Sequence, residues 1–238
     1  MNIKEMFLDS SRYAASDWTK FISLGILFVL TDFLDRLSLE KSFLDWIWLV
    51  FLVWIILFFI QAGYIFRIIE FSVKGHDQLP HFNNLKNLFQ HGVKDSVVFT
   101  IYLSFPLIFF LIFLIADSSN WTVEVFSNNE LLFWVLTAGS LIFFILFQGA
   151  ILNMAHHEGR FRSAFNFKEI YLRIKRVKIQ KFVITCILTG IIIWLLEPFF
   201  LEDVAHSIDY PLGAIIDVII APYLAILTSR FLGIMDRY

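Results

Sequence analysis

Apolar residues are concentrated in six blocks, which polar connections separate from one another. Each block is about 17 to 25 residues long, the length that a helix needs to cross about 30 Å of hydrocarbon. None alternates as a barrel strand does, and backbone groups in lipid must be paired within their own segment. The pattern predicts an all-α membrane protein. We expect a six-transmembrane-helix bundle, one polytopic domain over residues 1–238, with spans at 21–37, 46–66, 97–116, 131–155, 182–200 and 208–226.

The first block has the shortest apolar run, because Asp32 interrupts it. Asp32 and Arg36 are four residues apart, so on a helix they share a face, and pairing near the interface would ease the burial of both. We therefore expect this segment to cross as a helix. A re-entrant segment is the alternative.

Composition supports a protein with much of its surface in lipid. Hydrophobic residues make up 58% of the chain and charged residues 17%, whereas soluble domains average about half and about a quarter. The single cysteine, Cys186, lies inside an apolar block. There is thus neither an internal disulfide framework nor a cysteine-based metal site.

Charged residues are segregated along the chain, and their distribution indicates an orientation. Apart from Arg36 and Lys41, every Lys and Arg lies in the N-terminal segment, the second or fourth connection, or the C-terminus. The first, third and fifth connections are acidic instead. Because basic connections stay preferentially in the cytoplasm, we expect a multi-pass protein of the cell membrane with both termini cytoplasmic.

Two cytoplasmic connections contain amphipathic segments. After the turn residues Gly75 and Pro80, apolar residues recur at helical spacing, which predicts an interfacial helix containing Phe82, Leu85, Leu88 and Phe89. In the later connection, a similar spacing predicts a second helix, which carries Ile170, Ile174 and Val177 among basic residues.

The second amphipathic segment is strongly basic. A basic amphipathic helix is suited to the headgroup plane, where each basic residue contributes about 1 kcal/mol of attraction to anionic lipid. We expect lipid headgroups to contact four of its residues, while ordinary positive-inside bias is the alternative. The four residues are Arg173, Lys175, Arg176 and Lys178.

A recognisable pattern runs through the first half of the chain. It consists of Gly63-Tyr64, Arg67, Gly75, Leu79-Pro80-x-Phe82, Gly92 and Tyr102-x-x-x-Pro106. This pattern resembles domain-of-unknown-function family 4013, uncharacterised polytopic membrane proteins found largely in archaea. Tyr13 and Asp17, and later Ala164-Phe165, extend the resemblance over nearly the whole chain. The resemblance implies a shared architecture but no activity, so it supplies no catalytic residue.

Ionisable residues within spans are functional candidates, because their insertion costs about 2.5 to 3.5 kcal/mol. Asp217 lies in the last block, on a stripe of small residues that recur every four positions: Gly213, Asp217, Ala221, Ala225, Ser229 and Gly233. Small residues let helices pack closely, so this carboxylate is expected to face protein. It could bind a proton, a cation or an amine substrate. In the structural alternative it pairs with a polar residue such as Gln61 or Gln148 to fix helix packing.

His156, His157 and Glu158 are residue types that bind zinc, which makes them a weak metal candidate. Neighbouring side chains on a helix point about 100° apart, however, so the pair of histidines cannot meet one ion without an irregular backbone. Surface histidines are the favoured interpretation. The chain also lacks the H-E-x-x-H and G-x-S-x-G signatures of membrane enzymes.

Three hypotheses of function therefore stand, in order of preference. The first is transport of an ion or small solute, and the second is a non-catalytic membrane-organising or partner-binding subunit. The third, a membrane-embedded metalloenzyme, rests on the histidines alone. We expect the lipid bilayer as a partner, with no cofactor, no catalytic residue and no nucleic acid, whereas substrate and oligomeric state are not indicated by the sequence.

Overall fold

The computed structural model describes residues 2–39, 46–116, 130–197, 210–235 and 237. Within these ranges the secondary structure is entirely helical, which confirms the all-α class. The α-helices, in chain order, are α1 Ile3–Ala14, α2 Trp18–Leu39, α3 Ile47–Lys74, α4 Leu85–Ala116, α5 Glu130–His156, α6 Phe167–Val177, α7 Ile179–Glu197 and α8 Tyr210–Met235, and a short 3-10 helix occupies Phe161–Phe165.

Three segments of the described residues are long and apolar enough to cross a membrane. They are Ile47–Lys74, which is all of α3, Thr137–His156 in α5 and Val218–Met235 in α8. Ile179–Ile192 in α7 is a shorter apolar helix. The predicted spans 21–37, 97–116 and 182–200 overlap α2, α4 and α7.

Helices α3 and α4 form the closest pair, because glycines bring their backbones into contact. A Cβ added at Gly63 would lie 1.8 Å from the carbonyl oxygen of Leu88, and one added at Gly92 would lie 1.8 Å from that of Phe59. Only glycine tolerates such an approach. The two family-pattern glycines therefore have a packing role.

Helix α8 is the most buried of the three membrane-capable segments, and it contacts α1, α2, α3 and α7. Its approach to α2 is close at Gly25, where an added Cβ would lie 2.3 Å from the carbonyl oxygen of Val218. Near its C-terminus, Gly233 packs in the same way against Ser72 of α3. Gly233, a member of the small-residue stripe, is thus a point of close helix packing.

The amphipathic segments differ in part from the prediction. Residues 85–90 are the first turns of α4 rather than a separate interfacial helix. Asn84, which has a positive φ of 55°, precedes the helix and accepts a hydrogen bond from the Asn87 backbone. Gly92 lies before the apolar run but does not break α4. A glycine is required at this position by the contact with α3.

The second amphipathic segment is a helix, α6, as its spacing predicts. Asn166 caps its N-terminus by accepting a hydrogen bond from the backbone N–H of Glu169. Ile170 and Val177 are buried, and Ile174 packs against Gly149 of α5. Helix α1, which begins after Asn2 and packs on α8, was not predicted from the sequence.

Candidate functional site

An open cavity of about 250 Å³ lies between α2, α3 and α8, and polar side chains of α2 and α3 lie at its wall. From α2, the residues at its wall share one helical face, with the spacing i, i+3, i+4 and i+7: Phe28, Thr31, Asp32 and Asp35. Helix α3 contributes Trp54, Phe58 and Gln61, and α8 contributes Ala221.

The polar side chains along the described part of this wall include two carboxylates and one amide. Asp32 and Asp35 carry the carboxylates, and Gln61 carries the amide, which can both accept and donate hydrogen bonds. The hydroxyl oxygen of Thr31 lies 3.3 Å from Gln61 Oε1 and 2.8 Å from the carbonyl oxygen of Phe28. Thr31 therefore links the polar edge of α2 to α3.

Aromatic side chains form much of the remaining wall. The rings of Trp54 and Phe58 are nearly parallel, with centroids 5.5 Å apart and an interplanar angle of 12°. Phe51 extends this row from the preceding turn, with its ring centroid 6.0 Å from that of Trp54. The α3 wall is thus an ordered aromatic row with Gln61 at its end.

The predicted candidates Asp217, Gln61 and Gln148 lie in different places. Gln61 lines the cavity, whereas Gln148 is buried in α5 beside Gly149, which packs against α6. Asp217 lies in α8 one helical turn before Ala221, and its side chain falls outside the described residues. Whether Asp217 pairs with either glutamine stays a prediction.

At the opposite end of α8, Arg230 is buried with only 1% of its side chain exposed. Its Nε donates to Asp9 of α1 at 3.0 Å, and its Nη2 donates to Asp77 at 2.9 Å. Nη1 bonds the carbonyl oxygen of His76, and the guanidinium carbon lies 4.3 Å from the ring centroid of Tyr13. One side chain thereby joins α1, α8 and the α3–α4 loop.

Charge and burial perturb the titration of the groups around Arg230. The hydrogen bond from Arg230, aided by Arg237, holds the pKa of the Asp77 carboxyl below its usual value. Burial raises the pKa of Tyr13 to about 12, although the positive charge of Arg230 opposes the shift. Asp77 is therefore ionised and Tyr13 neutral at neutral pH.

The loop that connects α3 to α4, residues 75–84, is held through its backbone carbonyl groups. Tyr13 donates to Gln78, Lys20 to Leu79 and Tyr64 to Pro80. The further donors are Arg230 to His76, Arg237 to Gly75, and Arg67 to His81 and Asn83. The Tyr64 ring also stacks on Phe82, with 3.7 Å between centroids.

These contacts give the family pattern a physical basis. Tyr64, Arg67, Pro80 and Phe82 all take part in fixing one loop. The loop also carries Gly75, whose φ of 91° is suited to glycine and lets α3 end there. These residues of the pattern are therefore connected to one another by contacts that hold the 75–84 loop.

Of the metal candidates, His157 is engaged in other contacts. His157 lies 2.8 Å from the carbonyl oxygen of Asn153 through Nδ1, and 3.2 Å from Glu169 through Nε2. His156 and Glu158 are exposed where α5 ends. Over the described ranges, no three His, Cys, Asp or Glu side chains are grouped to hold a metal ion.

The predicted headgroup residues fall into two sets. Arg173 is half-buried and its Nε donates to Asn153 at 3.2 Å, so it is bound to α5. Lys175, Arg176 and Lys178 are exposed. Of the four residues, only these three lack the contact with α5 and are exposed on the outer face of α6.

Several site residues escaped the sequence analysis. Asp35, Thr31 and Trp54 of the cavity were not singled out, although the i, i+3, i+4, i+7 stripe on α2 was available as a signal. Arg230 and Asp9 were counted only as terminal charges. Their pairing joins positions 221 residues apart, and no local pattern reports such a contact.

The helical architecture and the three membrane-capable segments support the class of α-helical membrane proteins. A family model described as a protein of unknown function, DUF4013, matches residues 47–201. The chain belongs to this family, as the pattern between Gly63 and Pro106 indicates. No curated protein and no solved structure matches it.

Proposed function

We propose that this protein is a six-span membrane protein that binds and transports a small cationic solute through the cavity between α2, α3 and α8. The single observation that carries the proposal is the grouping of Asp32, Asp35 and Gln61 around one open cavity. Carboxylates beside apolar helices are costly unless they are paired or serve a site, so they are functional candidates. Their negative charge selects cations.

The proposed six-span topology with cytoplasmic termini rests on the distribution of basic residues along the chain and on contacts among the segments next to the helix ends. Positive-inside bias puts residues 1–20, 67–94, 160–181 and the C-terminus on the cytoplasmic side of the cell membrane. Parts of these segments are in contact: α1 and the 75–84 loop meet at Arg230, and Lys94 donates to Gly159 at 3.1 Å. These parts of the basic segments therefore lie together at one end of the bundle.

The cavity lies toward the other end. Ala221 and Arg230 are nine residues apart in α8, which corresponds to about 14 Å along a helix. Between the cavity and the proposed cytoplasmic side lie the Gly63–Gly92 crossing and the pinned 75–84 loop. In the proposed topology, the cavity thus lies on the outer side of this crossing.

Flux through purified protein in liposomes tests the proposal. We expect uptake of small cations that is reduced at least about tenfold by Asp32→Asn, since a lost charge contact in a partly desolvated site is worth more than about 1.4 kcal/mol. Asp217→Asn is expected to lower flux as well, because position 217 is one turn from the cavity. Asp17→Asn is the matched control, because Asp17 pairs with Lys20 at 3.0 Å outside the cavity.

Unchanged flux in Asp32→Asn, or no cation flux by the wild type, would remove the transport proposal. A loss of folding in Asp217→Asn with normal flux in the remaining folded protein would instead assign Asp217 a structural role. Size-exclusion profiles of each variant separate these results.

A second candidate function, membrane organisation, is favoured by the outer face of α6. This face exposes apolar and aromatic side chains beside basic ones: Phe167, Tyr171 and Leu172 with Lys168, Lys175, Arg176 and Lys178. Such a surface suits anionic headgroups. Native-mass or fluorescence measurement of anionic lipid bound to the full chain tests it, with Lys175→Gln and Arg176→Gln expected to weaken binding.

A further inference from the structure

Adjacent turns of α4 carry two polar atoms that are buried without a hydrogen-bond partner. They are the imidazole nitrogen Nδ1 of His91 and the carboxyl oxygen Oδ1 of Asp95. His91 is only 9% exposed, and Asp95 is half-buried with its Oδ1 inaccessible. The two residues are four positions apart, so they share one face of the helix with about 5 to 6 Å between their Cβ atoms. Unpaired buried groups of this kind point to a bound water, ion or proton.

Two neighbouring elements enclose His91. Its ring stacks on Phe66 of α3, with 5.3 Å between ring centroids and an interplanar angle of 13°. The edge of the ring lies against Gly159, in the turn after α5, where an added Cβ would be 2.1 Å from Cε1 and 2.4 Å from Nδ1. Lys94 holds this turn against α4, because its Nζ donates to the Gly159 carbonyl oxygen at 3.1 Å. On this edge His91 is therefore covered by backbone rather than by a flexible side chain.

Burial favours a protonated carboxyl beside a neutral imidazole. A carboxylate that loses its hydration without gaining donors is costly, so burial favours its neutral form. The neutral carboxyl has one O–H donor, and neutral imidazole has one acceptor nitrogen. The pKa values shift in the matching directions, because burial raises the pKa of Asp95 to about 7 and lowers that of His91. Both residues precede the predicted span 97–116.

The charges around this pair also favour a neutral imidazole. Glu70 of α3 raises the pKa of His91, but three basic residues of α3 and α4 lower it: Arg67, Lys74 and Lys94. The end of α5 and the following 3-10 helix add further ionisable residues: His156, His157, Glu158, Arg160 and Arg162. Of these, His157 lies 3.2 Å from Glu169, and the others are exposed. The acceptor nitrogen of His91 is thus kept available at neutral pH.

We propose that His91 and Asp95 form a proton-binding site, in which one proton is held between Asp95 Oδ1 and His91 Nδ1, directly or through one bridging water molecule. The proton is taken from solvent water and returned to it, and no other bond forms or breaks. The site is separate from the cavity between α2, α3 and α8 and does not depend on the proposed transport. In the proposed topology it lies at the cytoplasmic end of the bundle, so it responds to cytoplasmic pH.

Infrared spectroscopy of the full-length protein in nanodiscs tests this site, because a protonated carboxyl has a C=O stretching band that a carboxylate lacks. The signal is the difference between wild type and Asp95→Asn, recorded from about pH 5 to about pH 9. We expect one protonated-carboxyl band that is present in wild type at low pH and absent from the variant. It should disappear with a midpoint at about pH 7.

A second variant tests the role of His91. His91→Phe keeps an aromatic ring on Phe66 but removes the acceptor nitrogen, so the band should shift in frequency. Asp17→Asn is the matched control, because Lys20 holds the pKa of Asp17 low, and this carboxyl should contribute no band in the measured range. If Asp95→Asn does not fold, the shift in His91→Phe assigns the band instead.

Two results would overturn the proposal. Absence of a protonated-carboxyl band from the difference spectrum at every pH would show that Asp95 binds no proton in this range. A band whose frequency is unchanged in His91→Phe would assign the proton to Asp95 alone and overturn the shared site. Neither result bears on cation transport, which is measured separately as flux.

Discussion

Arg230 donates a hydrogen bond from Nη2 to Asp77 at 2.9 Å, and this contact ties the end of α8 to the loop between α3 and α4. Arg230 is almost fully buried, whereas 78% of the Asp77 side chain is exposed. Because the buried partner also bonds Asp9 and lies against Tyr13, the arginine organises this end of the bundle. The carboxylates of Asp9 and Asp77 lie on the solvent side of Arg230.

We predict that Arg230→Lys lowers stability although it keeps the charge. A lysine ammonium lacks the planar fork that reaches Asp9, Asp77 and the His76 carbonyl together. Hydrogen bonds to charged groups contribute about 1.5 to 3 kcal/mol each, and exposure of the carboxylates reduces this. We expect a net loss of about 2 kcal/mol, seen as a fall of about 4 to 8 °C in the melting temperature in detergent.

Arg237→Lys is the control for this prediction. Arg237 bonds the Gly75 carbonyl and is 3.5 Å from Asp77, but its side chain is more exposed than that of Arg230. Its replacement should lower the melting temperature by less than half as much. Equal effects of the two variants would contradict the central position of Arg230.

The crossing of α3 and α4 gives a second prediction. Gly92→Ala should destabilise the protein by about 3 kcal/mol or more, because the new Cβ would lie 1.8 Å from the Phe59 carbonyl oxygen and the helices would have to separate. The measurement is thermal unfolding in the same detergent.

Gly139→Ala is the matched control for the crossing. Gly139 lies within α5, and a Cβ added there would meet nothing within 4 Å. Alanine has the higher helix propensity, so this variant should be neutral or slightly stabilising, by up to about 1 kcal/mol. Similar losses at both positions would show that the close approach of α3 and α4 is not the cause.

The sequence predicted those parts of the fold that depend on local pattern. Apolar blocks of sufficient length identified α3, α5 and α8, and spacing identified α6. Helix α1 was missed because it mixes apolar residues such as Met6 and Tyr13 with charges and is too short to span. The continuity of α4 was missed because its first turns are amphipathic, whereas the apolar block that follows begins only at residue 97.

The site was less predictable than the fold. Gln61 was identified because it is a polar residue in an apolar block, and Asp32 because it interrupts one. Their grouping with Trp54 and Ala221 depends on how three helices rotate and cross, which is set by close packing such as that of Gly25 on Val218. Arg230 and Asp9 meet only through tertiary structure.

Asp95 gives a prediction about pH. It precedes the predicted span 97–116; its Oδ1 is buried without a hydrogen-bond partner, and burial raises its pKa to about 7. Because the pKa of Asp95 is higher in the folded state than in the unfolded state, the contribution of this carboxyl to stability is full below its unfolded pKa, near pH 4. This contribution is lost as the pH rises toward 7. Asp95→Asn should therefore raise the melting temperature at pH 8 relative to wild type, with a smaller gain at pH 5.

Two neighbouring groups bear on the pH measurement. Burial lowers the pKa of His91, one turn before Asp95, so His91 acts in the opposite direction as the pH falls. The comparison of Asp95→Asn with wild type at each pH removes this contribution. Asp17→Asn is the control, since Lys20 holds the pKa of Asp17 low and its titration lies below this range. A gain in Asp95→Asn that is the same at both pH values would contradict the prediction.

The two sets of basic residues on α6 should behave differently on substitution. Arg173→Gln should lower the melting temperature, because it removes the hydrogen bond to the buried Asn153, worth about 1.5 to 3 kcal/mol. Lys175→Gln should leave the melting temperature unchanged, since Lys175 is exposed. A larger fall in melting temperature for Lys175→Gln than for Arg173→Gln would show that α6 is attached to α5 by other contacts.

Thiol accessibility at Ala221 tests most directly the claim that an open, cation-selective cavity lies between α2, α3 and α8. The native Cys186 is fully buried, so unlabelled wild type is the control. Ala221→Cys should react with a trimethylammonium methanethiosulfonate at least about tenfold faster than with the anionic sulfonate reagent, and Asp32→Asn with Asp35→Asn should remove this preference. Failure of the cationic reagent to label Ala221→Cys, or equal rates with both carboxylates present, would contradict the account.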